Sequence, residues 1–213
     1  MNNTGAQGIF ISMEGPDGSG KSTQIKLLCQ YLKELGYDVV LTREPGGTLI
    51  GEKIRGIILD TEHNEMADRA EALLYAASRA QHVDQVIKPA LEAGQLVVCD
   101  RFIDSSIVYQ GYGRALGDFV RIINEYAVDG CMPDKTLLLL LNPQTGKDRI
   151  ARKEQDRLEL LDISFHEKVY QGYLALMKLY PDRIVAIDAK GSINEIAREI
   201  RGQVDKLLLE IGE

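Results

Sequence analysis

The residues with the clearest chemical meaning are Gly15, Pro16, Asp17, Gly18, Ser19, Gly20, Lys21 and Ser22, followed by Thr23. They fit the pattern Gly-x-x-x-x-Gly-Lys-Ser/Thr, directly after the apolar run Ile9–Met13 and directly before an amphipathic segment beginning at Thr23. Glycines allow positive φ, so backbone N–H groups can wrap around phosphate oxygens, and a helix N-terminus behind the loop adds favourable dipole potential. Lys21 would reach the β- and γ-phosphates of ATP, and the Ser22 hydroxyl would ligate Mg2+. A glycine-rich turn with an incidental lysine would not require this strand-to-helix setting. Asp100 closes a second apolar run, Leu96–Cys99, where a Walker-B-type carboxylate would hold the magnesium shell, partly through water. An acid after a strand is common, so the adjoining Arg101 adds weight.

A phosphate loop does not by itself choose a reaction, since switches, motors and kinases share it. Transfer to an anionic acceptor needs cations outside the loop, because donor and acceptor phosphates repel. Arg43, Arg55, Arg79 and Arg101 are the candidates; Arg43 opens Arg-Glu-Pro-Gly-Gly directly after the run Val39–Leu41. Such local positive charge is needed because the chain carries a net charge of −7, which argues against a nucleic acid polymer or an anionic membrane as partner. Three widely spaced cysteines without a Cys-x-x-Cys pair suggest neither disulfides nor structural zinc, and a cytoplasmic setting fits. His63, His82 and His166 lack metal-ligand spacing and read as structural or exposed.

Elements that could position these residues alternate along the chain. Ile9–Met13, Val39–Leu41, Leu96–Cys99, Thr136–Leu141 and Ile184–Ile187 read as strands. Residues 23–35, 73–93, 119–128, 165–179 and 193–209 read as helices, with Gly36 stopping the first. Continuous apolar strands separated by helices predict an α/β fold of three layers, a P-loop NTPase fold with a five-stranded parallel sheet covered on both faces and ligands at the carboxyl ends of the strands. A single domain is expected over 1–213, with residues 1–7 disordered and a short mobile lid over about 143–160, where Lys147, Arg149, Arg152, Lys153 and Arg157 gather. A solvated helix is the plainer reading of that charged run.

The chain resembles the bacterial thymidylate kinase family. The segments that carry the likeness are Glu14–Thr23, Thr42–Gly47, Ala76–Arg79, Asp100–Ser106 and Tyr109–Gly111, supported later by Pro133–Asp134, Asp156–Glu159 and Phe165–Val169 followed by Tyr173. The resemblance implies an enzyme that phosphorylates dTMP with ATP and Mg2+, and a homodimer. It implies that Arg43 and Arg101 clamp the acceptor phosphate with Arg55 assisting, a role that suits bidentate guanidinium groups. Asp17 would accept from the sugar 3′-hydroxyl, and Tyr75 would stack on thymine. Arg79 and Gln110 would meet the polar edge of the base, while Tyr109 would disfavour a 2′-hydroxyl. Glu44, Pro45 and Ser106 belong to the same acceptor-site segments. Without the resemblance, Tyr75 and Tyr109 would read as packing residues and Gln110 as a helix-surface amide.

Two departures stand out: Tyr75 replaces a common phenylalanine, and the flap from Arg149 to Arg157 is short and poor in arginine. Since Gly18-Ser19 puts no arginine in the phosphate loop, family logic asks the flap for the transition-state cation, Arg152 or Arg157. Arg149 would instead stack over adenine, with residues 188–192 on its other side. Rival readings are a kinase of another nucleotide or of a nucleoside, and a P-loop switch protein suggested by the Asp-x-x-Gly at Asp188 to Gly191. The switch reading lacks any Asn-Lys-x-Asp guanine-reading motif.

Overall fold

A computed structural model describes residues 8–151 and 155–212; the expectation for residues 1–7 and the candidate cation Arg152 fall outside them. Five strands, β1 (Ile9–Glu14), β2 (Val39–Arg43), β3 (Leu96–Asp100), β4 (Lys135–Leu140) and β5 (Ile184–Asp188), form one sheet in the order β2-β3-β1-β4-β5. All neighbouring pairs are parallel. Along the central strands successive side chains enter opposite faces, and both faces are covered. Ile11, Met13, Leu96, Val98, Leu137 and Leu139 pack against helices α1 (Lys21–Glu34) and α9 (Ile193–Gly212). Phe10, Val97 and Cys99 point the other way, into a second core with Val83, Ile87 and Phe102. Each fully buried aliphatic side chain of this kind stabilises the fold by roughly 2 kcal/mol. β2 is an edge strand and only partly covered, which leaves Leu41 exposed.

Four of the strands run one or two polar residues beyond their apolar runs, to Glu14, Arg43, Asp100 and Asp188. The ladder continues there after hydrophobic burial has ended, and those ends face the ligand edge of the sheet. Helix α2 (Leu49–Leu59) is not evident from periodicity, because Leu49, Ile50 and Ile57 are exposed and blur its apolar stripe. Its start is fixed by Thr48 Oγ1, which accepts from the Gly51 N–H at 2.9 Å. The expected helix over 73–93 is instead α3 (Asp68–His82), a π-helical turn (Val83–Ile87) and α4 (Lys88–Glu92). After β3 come α5 (Ile103–Ser106), a second π-helical turn (Ile107–Gly113) and α6 (Asp118–Val128).

The charged run after β4 opens as a helix, α7 (Pro143–Ile150), whose Asn142 cap accepts from Gln144 N–H at 3.0 Å. α7 abuts the phosphate loop with no side chain between them. A Cβ on Gly146 would lie 2.4 Å from the Asp17 carbonyl oxygen, and one on Gly18 2.3 Å from that of Gly146. Residues 155–162 lead into α8 (Ile163–Leu179), where Asp162 caps the Phe165 N–H at 2.9 Å.

Candidate active site

The register of the sheet brings three strand ends level: Asp100 pairs with Met13 on one side and with Arg43 on the other. The loops that leave these ends enclose a cavity of about 370 Å3. Asp17, Gly18, Gly20, Lys21, Ser22, Thr23, Arg43, Glu44, Pro45, Arg55, Tyr75, Arg79, Asp100, Arg101, Ser106, Tyr109, Gln110 and Arg149 all line it. Candidate residues from six separate stretches of the chain therefore converge. Gly15, Pro16 and Ser19 form the loop's buried backbone and do not reach the wall.

Gly15, Gly18 and Gly20 hold φ of 140°, 78° and 93°, values that a side chain would strain, and Gly20 precedes the first turn of α1. Lys21 Nζ donates to the carbonyls of Gly15 at 2.9 Å and Pro16 at 3.0 Å. Burial, together with the nearby Arg101, lowers its pKa to about 8 against the pull of Asp17 and Asp100. Asp100 Oδ1 is buried without a hydrogen-bond partner among the described residues, and it shares the cavity with the exposed Ser22. An unpartnered carboxylate oxygen and a hydroxyl lining one cavity fit a magnesium shell. No cluster of three His, Cys, Asp or Glu side chains able to hold a metal occurs among the described residues. Magnesium here would take most of its ligands from phosphate and water.

Arg101 has φ of 66°, an uncommon conformation for a residue with a side chain. Glu14 holds the turn. Its Oε1 accepts from the Phe102 N–H at 2.7 Å and the Ser105 N–H at 3.3 Å, and its Oε2 from Ser105 Oγ at 2.6 Å and Tyr173 OH at 3.0 Å. Burial and the neighbouring Asp104 raise the Glu14 pKa to about 7. So held, Arg101 donates to the Gly15 carbonyl and Ser105 Oγ, each at 3.1 Å, and to Asp17 at 2.5 Å. Tyr109 OH donates to the other oxygen of Asp17 at 3.1 Å. Burial alone would raise the Asp17 pKa, but Arg101, Lys21 and Tyr109 reverse this and bring it to about 2.

Arg43 is half exposed and paired with Glu52 at 2.8 Å, while Arg55 donates to the Pro45 carbonyl at 2.9 Å. The Glu44–Pro45 peptide is cis. Arg79 is wholly buried and donates to Glu44 at 2.7 Å, Ser106 Oγ at 2.9 Å, Asn124 Oδ1 and the Phe102 carbonyl at 3.0 Å. Four of its five N–H groups are thereby used, leaving one for a ligand. Glu44 also accepts from His82 Nδ1 at 2.9 Å, so this histidine is a buried support. Tyr75 lines the cavity, and burial together with Glu71 raises its pKa. Gln110 is buried, unlike the surface amide its helical setting suggests. Arg149 donates to the carbonyls of Gly18 at 3.2 Å and Ala189 at 3.3 Å, and so spans the phosphate loop and the segment after β5.

Arg157 departs from expectation. It is buried, donates to the Ile58 carbonyl at 2.9 Å and to Glu71 at 2.5 Å, and does not line the cavity. The buried Glu71 carboxylate needs a counter-charge, and Arg157 supplies it together with Arg114. Sequence reasoning also passed over Glu14, Ser105, Asp156 and Glu159. Asp156 and Glu159 line the cavity, and burial raises the Glu159 pKa. Both lie in the segment Asp156–Glu159, where the arginine is the more obvious phosphate ligand.

This fold and cavity define a P-loop phosphotransferase, with further cationic side chains sharing the cavity of the phosphate loop. Residues 13–200 match the family model for thymidylate kinase. A thymidylate kinase from an Exiguobacterium species is 55% identical over 91% of this chain and 92% of its own length. One from Clostridium novyi is 47% identical over 92% of this chain and 98% of its own. The crystal structure of thymidylate kinase from Ehrlichia chaffeensis superposes with a TM-score of 0.79 at 34% identity, covering 93% of this chain and 99% of that one. The chain belongs to the thymidylate kinase family.

Proposed function

We propose that the two sides of this cavity hold ATP and dTMP for direct transfer of the γ-phosphate, giving dTDP and ADP, the reaction of the family to which the chain belongs. One observation carries the assignment of residues: Arg43, Arg55 and Arg101 open onto the same cavity as Lys21. The phosphate loop from Gly15 to Ser22 cradles the donor, with Lys21 on its β- and γ-phosphates and Arg149 beside adenine. Ser22 and Asp100 would hold Mg2+, which would supply positive charge to neutralise the donor phosphates. Arg43 and Arg101 fix the acceptor phosphate in line, and Arg55 screens it. Asp17 accepts from the 3′-hydroxyl, Tyr75 stacks on the base, and Arg79 and Gln110 read its edge. Tyr109 backs the sugar. Catalysis then rests on position and electrostatics, without a covalent intermediate. A nucleoside kinase would leave the acceptor-side arginines without a phosphate to meet.

A coupled ADP-release assay over a panel of nucleoside monophosphates tests this reading. Turnover on uridine, cytidine or guanosine monophosphate equal to that on dTMP would defeat it. We further propose a homodimer. Helices α2, α3 and α6 pack side by side and expose Leu49, Ile50, Ile57, Leu73, Ile122 and Tyr126, apolar surface of the kind that a partner subunit covers. Among the described residues no helix is long and apolar enough to cross a membrane. The free cysteines Cys29, Cys99 and Cys131 suit a reducing cytoplasm.

A further inference from the structure

Glu71 is a carboxylate with no exposed surface, set on α3 behind the base end of the cavity. Its Oε1 accepts from Gln110 Nε2 at 2.9 Å and from Arg114 Nε at 3.3 Å; its Oε2 accepts from Arg114 Nη2 at 2.9 Å and Arg157 Nη2 at 2.5 Å. Burial alone would raise its pKa, but these partners lower it, so the group is ionised and can only accept. An acceptor-only neighbour decides which end of an amide it meets. Gln110 must turn its NH2 toward Glu71, and its carbonyl then takes the other direction. Gln110 is only 1% exposed, lines the cavity beside Tyr75, Arg79 and Tyr109, and its Oε1 has no hydrogen-bond partner. A buried acceptor left unpaired costs about 1–3 kcal/mol, so a ligand that brings an N–H to it is favoured and one that brings a lone pair is rejected.

We propose that Glu71 is a specificity-determining positioning residue: it pins the Gln110 amide with the carbonyl toward the base, so that the site takes pyrimidines carrying N3–H and refuses cytosine. Thymine and uracil have that N–H; cytosine has an unprotonated, accepting N3. Arg114 and Arg157 keep Glu71 charged, and they tie the π-helical turn and the segment after α7 to α3. The inference rests on the acceptor-site reading given above.

The test compares kcat/KM for dTMP and dCMP in the wild type and in Glu71→Gln, with a thermal melt to check folding. A glutamine at 71 offers a carbonyl as well as an NH2, so the Gln110 amide can turn over at little cost. The dTMP-to-dCMP ratio is expected to fall about tenfold or more, the worth of one well-placed hydrogen bond. An equal loss on both substrates, with the ratio unchanged, would mean that Glu71 serves folding alone and would overturn the inference. Glu71→Gln also strips a counter-charge from two arginines, so the exchange variant E71Q/Q110E is measured beside it. There the carboxylate sits at 110, accepts from the new amide, stays one helical turn from Arg114, and presents only an acceptor to the base. Its ratio should return to within about threefold of the wild type; a folded exchange variant without that recovery overturns the inference as well. A wild type that phosphorylates dCMP as readily as dTMP would instead refute the acceptor-site reading, and the inference with it.

Discussion

Arg101→Ala removes a guanidinium that touches both the Gly15 carbonyl of the phosphate loop and the Asp17 carboxylate. In the intact protein Arg101 is 17% exposed and donates to Gly15, Ser105 and Asp17, and it lies 5.1 Å from the centre of the Tyr109 ring. Alanine would take from Asp17 the strongest of the influences that hold its pKa near 2 against burial. The acceptor phosphate would lose a forked donor at the same time. Hydrogen bonds to charged groups are worth about 1.5–3 kcal/mol, and one aimed at developing transition-state charge about 2.7–4 kcal/mol. The lower bound of the second range corresponds to about a hundredfold in kcat/KM. The assay is coupled ADP release with dTMP varied at saturating ATP. Arg101→Ala is expected to lose about a hundredfold or more, and Arg101→Lys, which keeps the charge but not the fork, to fall between it and the wild type. Activity of the alanine variant within about threefold of the wild type would remove Arg101 from the reacting centre.

Glu14→Gln should change the pH dependence of stability. The folded pKa of about 7 lies above the ordinary 4.5, so the folded state binds the proton more tightly. That contribution is complete below about pH 4.5 and is lost as pH rises through 7, amounting to roughly 3 kcal/mol for the buried group. Urea unfolding at pH 5 and pH 7.5 should show the wild type losing about 2 kcal/mol more than the variant; an equal change in both proteins would contradict the assignment. Tyr126, 85% exposed on α6, tests the dimer: sedimentation should give a dimer for the wild type and a monomer for Tyr126→Glu. A wild type that sediments as a monomer at micromolar concentration would end that proposal.

The phosphate loop, Asp100, Arg43 and Arg101 were legible because each follows an apolar strand, where a polar residue signals the ligand edge of a parallel sheet; Arg55 and Arg79 lie within α2 and α3, outside that signal. The five strands and the two covered faces followed from the same runs. Helix α2 was not legible, since Leu49, Ile50 and Ile57 point outward and blur its apolar stripe. Arg157 misled because charge in a run says nothing of burial: only the fold shows that Glu71, 86 residues away, claims it. Glu14 opens the loop segment, but its task is not legible locally, because its partners Phe102, Ser105 and Tyr173 come from distant segments. The polarity of the Gln110 amide likewise depends on a neighbour that no local pattern reveals.

The alternation of β3 ties packing to chemistry. Leu96 and Val98 fill one core, Val97 and Cys99 the other, and Asp100 emerges level with Met13 and Arg43. Deleting a single residue within β3 would exchange its two faces and also draw Asp100 back from its neighbours. Length changes in this strand therefore cannot trade stability against turnover, since both fail together. Variation in length is better tolerated in the connections on the opposite rim, where strands enter the sheet away from the cavity.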